Sequence, residues 1–372
     1  MSVLNFSRFS CKGTPYSIGY ALGDLLERSP ELQEINIEQE EIDASALSKT
    51  TALLKEFCPN VIEEAYGLSE KLQIPVGRLT IFSDKLVSVG ACSQMAFLPS
   101  ITNNGHILVG RSYEYAPGDE KNLMNIKTDN YPAHIGFSLF LFGRFDGINE
   151  YGLTVTMSSC EFGQPSYGEG LWFPLVLRTL LDRCSNVEEA IYLLKQMPVR
   201  CCSNILIADR YGNASLAEII CYGDERRISF RTSDEFLIST NHYVNNDMLK
   251  YDNHHGYHSE IRYKAIEKMI KREKGNISES HIKALLSEKI PLGVCCPYYN
   301  DGLGTLHSMY FDVTDCTAEL CFGSPDMHPF ETISFDEANG MSLFPVDYIN
   351  ESPDDPADFW RTLPPGGTEQ QL

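Results

Sequence analysis

Apolar residues fall into two kinds of pattern along this chain, and the change comes near residue 90. Ser17 to Arg28 puts Ile18, Ala21, Leu22, Leu25 and Leu26 on one side of a helix, the spacing of an amphipathic surface helix. Helices are also predicted over Ala44 to Phe57 and Asn60 to Leu72, with Asp43 capping the first, Cys58-Pro59 as the break and Asn60 capping the second. The acidic stretch Glu31 to Asp43 reads as a linker, and Pro75 ends this region before Leu79 to Val89 leads to Ala91. Strand-like runs then dominate: the segment from Ala91, a hairpin turn at Asn104-Gly105, His106 to Val109, then Ala133 to Phe142 and Arg144 to Met157 joined at Gly143. Helices return at Leu171 to Cys184 and at Val187 to Met197, the latter capped by Ser185 or Asn186. Four strands follow, at Ser203 to Asp209, Asn213 to Ile219, Arg227 to Arg231 and Phe236 to Thr240. Helices at Ser259 to Arg272 and Glu279 to Lys289, then strands at Thr305 to Val313 and Thr317 to Phe322, complete the pattern.

Periodicity assigns the chain to the α+β class. Strand blocks broken by helix pairs point to two antiparallel sheets with helices outside, a four-layer αββα sandwich. Residues 350–372, rich in Pro, Asp, Gly and Gln, read as a surface tail with Trp360 as its anchor.

Composition narrows the function. The 372 residues are 43% hydrophobic, enough to fill a large core. A net charge of −21 repels nucleic acid and anionic membrane surfaces. The longest apolar run, Phe137 to Phe142, is too short to cross a bilayer, and the first residues hold no continuous apolar stretch. The expectation is a soluble cytoplasmic protein with no nucleic-acid partner and no membrane insertion. Among its 12 cysteines there is no Cys-x-x-Cys, and the doublets Cys201-Cys202 and Cys295-Cys296 suit packing better than zinc. The neighbouring His254, His255 and His258, with Glu260 beyond, are interrupted by Gly256 and read as a surface or substrate loop rather than a metal site. No metal or organic cofactor is expected.

The candidate chemistry lies between Ala91 and Tyr115. Cys92 follows the small residues Gly90 and Ala91, and Gly110-Arg111 with Glu114 stands on the partner strand of the expected hairpin. A thiol with a reference pKa of about 8.5 needs a base or a positive field to act as a nucleophile. Arg111 and Glu114 are read as a buried pair supporting it, or as an ordinary cross-strand ion pair. A papain-like arrangement with His307 as base is the alternative, although the setting of Cys92 is strand and turn rather than a helix N-terminus. Nucleotide-binding glycine fingerprints are lacking.

Cys92, the Asn104-Gly105 turn and Gly110-Arg111 with Glu114 resemble the opening of the N-terminal-nucleophile (Ntn) hydrolases of the choloylglycine hydrolase and penicillin acyltransferase type, to which acid-ceramidase-like amidases are related. Gly147 to Thr156, Ser203 to Ile219, Phe236 to Tyr243 and Ser259 to Arg262 match further segments in the same order, and Gly13 to Gly23 resembles the opening helix. The resemblance runs from near the start of the chain to about Asp326. It implies the αββα fold, a helical propeptide region over 1–91, a catalytic core over 92–349 and the tail over 350–372.

The resemblance also implies that cleavage before Cys92 frees an α-amine to serve as base. Arg111 and Glu114 would organise amine and thiolate, Asn241 would hold the amine or help form an oxyanion hole, and Arg262 would join them. Three positions depart from the family pattern: Ala91 precedes the Cys where Gly is usual, Glu114 stands for Asp, and Ser159 falls where bile-salt-type members carry an Asn. The implied function is a cysteine amidohydrolase that cuts a non-peptide C–N bond of a small acylated amine or amino acid. The alternatives are an acyltransferase and an uncut binding protein. The two chains would stay associated after a cut, and a homo-oligomer is compatible with this. Trp172, Phe173, Phe162 and Tyr167 are candidates for an acyl pocket, or for core.

Overall fold

Two sheets lie face to face, and each carries helices on its outer side. This computed structural model describes residues 2–83, 90–160, 169–222, 225–252 and 255–363. The larger sheet has nine strands, from edge to edge Glu225–Arg231, Ala214–Tyr222, Ser203–Asp209, Leu153–Ser159, Asp146–Asn149, His134–Phe137, Asn122–Thr128, Ser2–Gly13 and Gly340–Tyr348. The second runs Phe236–Ser239, Ala91–Phe97, Leu108–Tyr115, Leu303–Asp312, Thr317–Phe322 and Glu331–Ile333, with the short Pro297–Tyr298 strand beside Leu303–Asp312. Ala91–Phe97 packs on Leu153–Ser159 and Ser203–Asp209 across the interface, so the candidate nucleophile, near the start of that strand, lies between the two sheets.

Helices Phe173–Arg183 and Val187–Gln196 cover the outer face of the nine-stranded sheet; Tyr257–Glu273 and Glu279–Ser287 cover the second. The result is the expected four-layer αββα arrangement. The strands at the interface are buried on both faces, Ala91–Phe97 and Ser203–Asp209 along their whole length. Double burial is why those segments lack a clean apolar–polar alternation, with Ser93, Gln94 and Asn204 buried alongside their apolar residues.

Several expectations change. Residues 1–91 are not only helical: Ser2–Gly13 is a strand, parallel to Asn122–Thr128 on one side and antiparallel to Gly340–Tyr348 on the other. Leu4, Phe6, Phe9 and Cys11 are its buried apolar residues. The sheets are therefore not purely antiparallel. The acidic linker holds a helix, Pro30–Asn36. Ala44–Phe57 is found as expected with Asp43 accepting from the Ser45 and Ala46 N–H groups, whereas the next helix is Pro59–Leu72, one residue earlier than expected. Proline suits that first helical position, and the Asn60 side chain, no longer a cap, reaches Asp182 at 3.4 Å. Strands Ala91–Phe97 and Leu108–Tyr115 do pair, but through residues 98–107 rather than a two-residue turn, with Thr102 bridged to Ile277. Residues 350–363 are not a free tail. Pro356–Phe359 is helical, Thr362–Leu363 pairs with His255–Gly256, and Phe359 and Leu363 are buried.

The crossing of Pro15–Arg28 with Pro59–Leu72 depends on two glycines. A Cβ on Gly19 would fall 1.8 Å from the Glu64 carbonyl oxygen, and one on Gly67 2.0 Å from that of Tyr16. Backbone cannot retreat as a flexible side chain does, so Gly19→Ala is expected to destabilise the protein by about 1–3 kcal/mol. Gly118→Ala, which meets nothing within 4 Å, should stay within about 0.5 kcal/mol. Urea midpoints of the two variants check this.

Candidate active site

Cys92 is the second residue of its strand, and strand parity determines what it faces. It lies opposite Tyr113, while Gln94 lies opposite Arg111 and Ala91 opposite Glu114. Side chains two apart share a face and those three apart do not. Cys92, Gln94, Tyr113 and Arg111 therefore face the other sheet, and Ala91, Ser93 and Glu114 face the helices. Gln94 confirms the direction: its amide spans the interface to the Ser158 hydroxyl (3.2 Å) and the Asn204 carbonyl (3.0 Å).

Arg111 and Glu114 are thus not a pair with each other. Arg111 Nε donates to Asp146 Oδ2 at 3.3 Å, and Glu114 Oε2 lies 3.6 Å from Arg262 Nη1. All four side chains are fully buried. The Ser112 hydroxyl donates to Glu114 Oε1.

On the backbone side, the Cys92 N–H donates to Asn241 Oδ1 at 3.0 Å. The Asn241 amide group in turn donates to the carbonyls of Gly90 (3.2 Å) and Ser159 (2.8 Å). The Ser159 hydroxyl donates to the same Gly90 carbonyl at 2.7 Å. Arg262 ties this together, giving hydrogen bonds to the Cys92 carbonyl (2.6 Å), Ser93 Oγ (3.0 Å), Asn241 Oδ1 (2.8 Å) and His258 Nδ1 (3.1 Å). His258 can accept because burial and the Arg262 charge depress its pKa to about 3, leaving it neutral. It folds back over Gly256, where a Cβ would sit 2.3 Å from its ring, and rests on Phe359 and Trp360.

Burial pushes the Cys92 thiol up; Arg111 pulls it down, Glu114 adds to the rise, and Arg262 lowers it. Arg111 is thus the strongest cationic influence on the sulfur. Burial also raises the Glu114 carboxyl, against the pull of Arg262. Asp146 behaves differently: burial works against its charge, but His307 and then Arg111 outweigh it and hold the carboxyl below its usual range.

All five residues singled out in the sequence, Cys92, Arg111, Glu114, Asn241 and Arg262, therefore meet in one buried cluster. Asp146, at the edge of the Gly147 to Thr156 match, was missed; an Arg and a Glu three apart in a strand face opposite ways, so each needed its own counter-charge. His307 does not partner Cys92. Tyr113 is the pairing neighbour of both residues, and His307 Nε2 is hydrogen-bonded to Asp146 Oδ2 at 2.9 Å. The histidine-rich segment is not a surface loop where it is described, since His255 is buried between Asp252 (2.8 Å) and Glu260 (3.4 Å); His254 lies outside the described residues. Phe162 and Tyr167 also lie outside them, while Trp172 lies under the Arg200 guanidinium and Phe173 against Phe145. Among the described residues, His106, Asp312 and Asp315 come together as possible metal ligands, with Asp315 exposed and His106 already paired to Asp312.

The family model for acyl-coenzyme A:6-aminopenicillanic acid acyl-transferase matches residues 101–327, well over half of the chain. That span contains Arg111, Glu114, Asp146, Ser159, Asn241, Arg262 and His307, and it begins after Cys92. No curated protein matches. Among solved structures, a mutant conjugated bile acid hydrolase from Clostridium perfringens is 12% identical, with a TM-score of 0.46, over 70% of this chain and 99% of that one. Penicillin V acylase from Agrobacterium tumefaciens is 14% identical, TM-score 0.38, over 62% and 83%. The Caenorhabditis elegans N-acylethanolamine-hydrolyzing acid amidase ortholog is 15% identical, TM-score 0.39, over 60% and 93%. Among the described residues no helix is long and apolar enough to cross a membrane.

Proposed function

Because the chain belongs to the acyl-coenzyme A:6-aminopenicillanic acid acyl-transferase family, we propose that it is a self-processing cysteine amidase, with Cys92 as the nucleophile and a small acylated amine or amino acid as substrate. The observation that carries this reading is the double hold of Asn241. Its Oδ1 accepts from the Cys92 N–H at 3.0 Å while its Nδ2 donates to the Gly90 carbonyl at 3.2 Å. One side chain thereby fixes the chain on both sides of Ala91, whose carbonyl is the target of the first step.

In that step the Cys92 thiolate attacks the Ala91 carbonyl carbon. The Ala91–Cys92 C–N bond breaks as its nitrogen takes a proton, and residues 1–91 are left as a thioester on Sγ. Water then attacks, the C–S bond breaks, and the products are the free thiol and a carboxylate at Ala91. The new α-amine at Cys92, with a reference pKa near 8, can take the thiol proton in later turnovers. Once Gly90 withdraws, Asn241 Nδ2 and the Ser159 hydroxyl are both free to donate to the oxyanion of a substrate carbonyl. The hydroxyl thereby serves where related enzymes use an amide.

The substrate amide is cut by the same sequence. Attack by Sγ gives an acyl thioester, the amine leaves with a proton from the α-ammonium, and the acyl group passes to water. Passage to a second amine is the acyltransferase reading, which the family name favours.

The intact mass of freshly purified protein under denaturing conditions tests the proposal. The parent should yield two chains, residues 1–91 and 92–372, and Cys92→Ala a single chain. A single chain in both would remove the α-amine from the mechanism and leave an uncut protein with a binding role.

A further inference from the structure

Asp146 and His307 come from opposite sheets and meet beside Arg111, and the steps above make no use of either. His307 Nε2 and Arg111 Nε both bond Asp146 Oδ2, at 2.9 and 3.3 Å, and the Phe137 N–H donates to Oδ1 at 3.2 Å. His307 is itself fixed, its ring stacked on Phe137 at 3.7 Å and on Tyr113 at 5.0 Å. We infer that Asp146 and His307 are positioning residues: through one shared carboxylate oxygen they aim the Arg111 guanidinium at the sulfur of Cys92. The inference rests on Cys92 being the nucleophile.

The remaining hydrogen bonds of Arg111 fit this aim. Nη1 donates to the Ser112 carbonyl at 3.0 Å, and Nη2 is buried with no hydrogen-bond partner among the described residues. A buried guanidinium N–H left over is costly. Cys92 shares the face of Arg111, and a thiolate there gives that N–H a charged acceptor. The anchor is needed because an arginine side chain has several rotatable bonds, and a guanidinium swung away from the sulfur supplies no field.

The acid form of Asp146 cannot hold Arg111 in the same way, so the arrangement has a pH limit. On the inner face, Asp146 meets Arg111 and His307, with Tyr113 and Cys92 beyond them on the same sheet and Glu114 on the opposite side of that sheet. Asn149, three positions along the strand from Asp146 and so on its opposite face, donates to the Leu181 carbonyl of the helix Phe173–Arg183, so Arg178 and Asp182 lie behind the sheet. Burial holds His307 below its ordinary imidazole range against the pull of Asp146, and an Nε2 proton is the donor that the ionised Asp146 oxygen accepts. Loss of that donor lets the buried carboxyl protonate at higher pH.

The test is the rate of Cys92 alkylation by iodoacetamide in the full-length protein between pH 5 and 9, read by peptide mass. His307→Leu should move the thiol limb of the parent profile up by about one pH unit, because a loosened Arg111 no longer lowers the Cys92 thiol, an approximately tenfold loss at a fixed pH below that limb. His307→Gln, whose amide can still donate to Asp146, should recover most of that loss. Asp146→Asn should be slower at every pH. A rise in rate for Asp146→Asn would mean that the carboxylate only dampens the Arg111 charge, and would overturn the inference. So would His307→Leu and His307→Gln profiles of the same shape, as a purely structural role predicts. A parent protein unreactive at Cys92 would sink the nucleophile assignment itself, and the positioning role with it.

Discussion

Replacing Arg262 by methionine is expected to slow the reaction sharply and to destabilise the fold together. Methionine fills much of the volume but donates nothing, so the Cys92 carbonyl, Ser93 Oγ, Asn241 Oδ1 and His258 Nδ1 all lose their guanidinium donor. Asn241 then loses the contact that fixes its amide plane. The rate of cleavage before Cys92 should fall by about 10²–10³, the usual cost of losing one preorganised donor set. Glu114 is left fully buried without its ion-pair partner, and breaking a buried pair from one side typically costs about 3–5 kcal/mol.

The sign of the pH dependence follows from Glu114. Burial already holds its carboxyl above the ordinary range against the pull of Arg262, and without Arg262 it rises further. A carboxyl raised in the folded state destabilises the fold above the unfolded pKa of about 4.3 and has no effect well below it. Urea unfolding of Arg262→Met should therefore show its full deficit at pH 7 and a smaller one near pH 4. A deficit under about 1 kcal/mol at pH 7 would show that Glu114 is protonated in the parent as well, and that Arg262 acts on Cys92 and Asn241 alone.

The way these two arginines are partnered shows what the sequence could carry. Cys92, Arg111 and Glu114 were legible from local pattern, a strand after small residues and a Gly-Arg step, whereas Asn241, at the Thr-Asn-His end of a strand, and Arg262 were singled out through the resemblance. Their pairing was not legible. Arg111 and Glu114 look like partners in one dimension, but the strand sends them to opposite faces, where Asp146 and Arg262 wait on elements far along the chain. The same limit explains Ser2–Gly13. The helix at Ala44–Phe57 announces itself through its own cap at Asp43, whereas that strand is defined by neighbours at Asn122–Thr128 and Gly340–Tyr348, which no local pattern reveals. The C-terminal segment read as a tail because its composition is polar. Two aromatic residues, Phe359 and Trp360, suffice to seat it on His258 and so behind Arg262.

Arg178→Met is expected to cost about 3–5 kcal/mol as well, at a site remote from the chemistry that decides what happens to residues 1–91 after a cut. Arg178 is fully buried on the helix Phe173–Arg183 and reaches Glu64 on the N-terminal helix Pro59–Leu72 with two hydrogen bonds, Nη2 at 2.6 Å and Nη1 at 3.3 Å. Its Nε bonds both oxygens of Asp182 at 2.9 Å, and the Phe142 carbonyl accepts at 3.1 Å. Methionine leaves two carboxylates in one buried site, with Arg144 as the nearest remaining cation; Arg144 is itself depressed to about 9 by burial and by Arg178. Ser2–Gly13, inserted between two strands of the C-terminal part, is the second attachment, and it survives this substitution. Residues 1–91 should thus stay bound to 92–372 in the cut parent through gel filtration in buffer. In Arg178→Met the two should separate at a clearly lower urea concentration. Separation of the parent chains without denaturant would mean that the strand and the Glu64–Arg178 pair do not outlast the cut. An unchanged urea midpoint in the variant would mean that Glu64 sits in the parent as a neutral acid, so that the join between the two parts is held by the strand and by apolar packing.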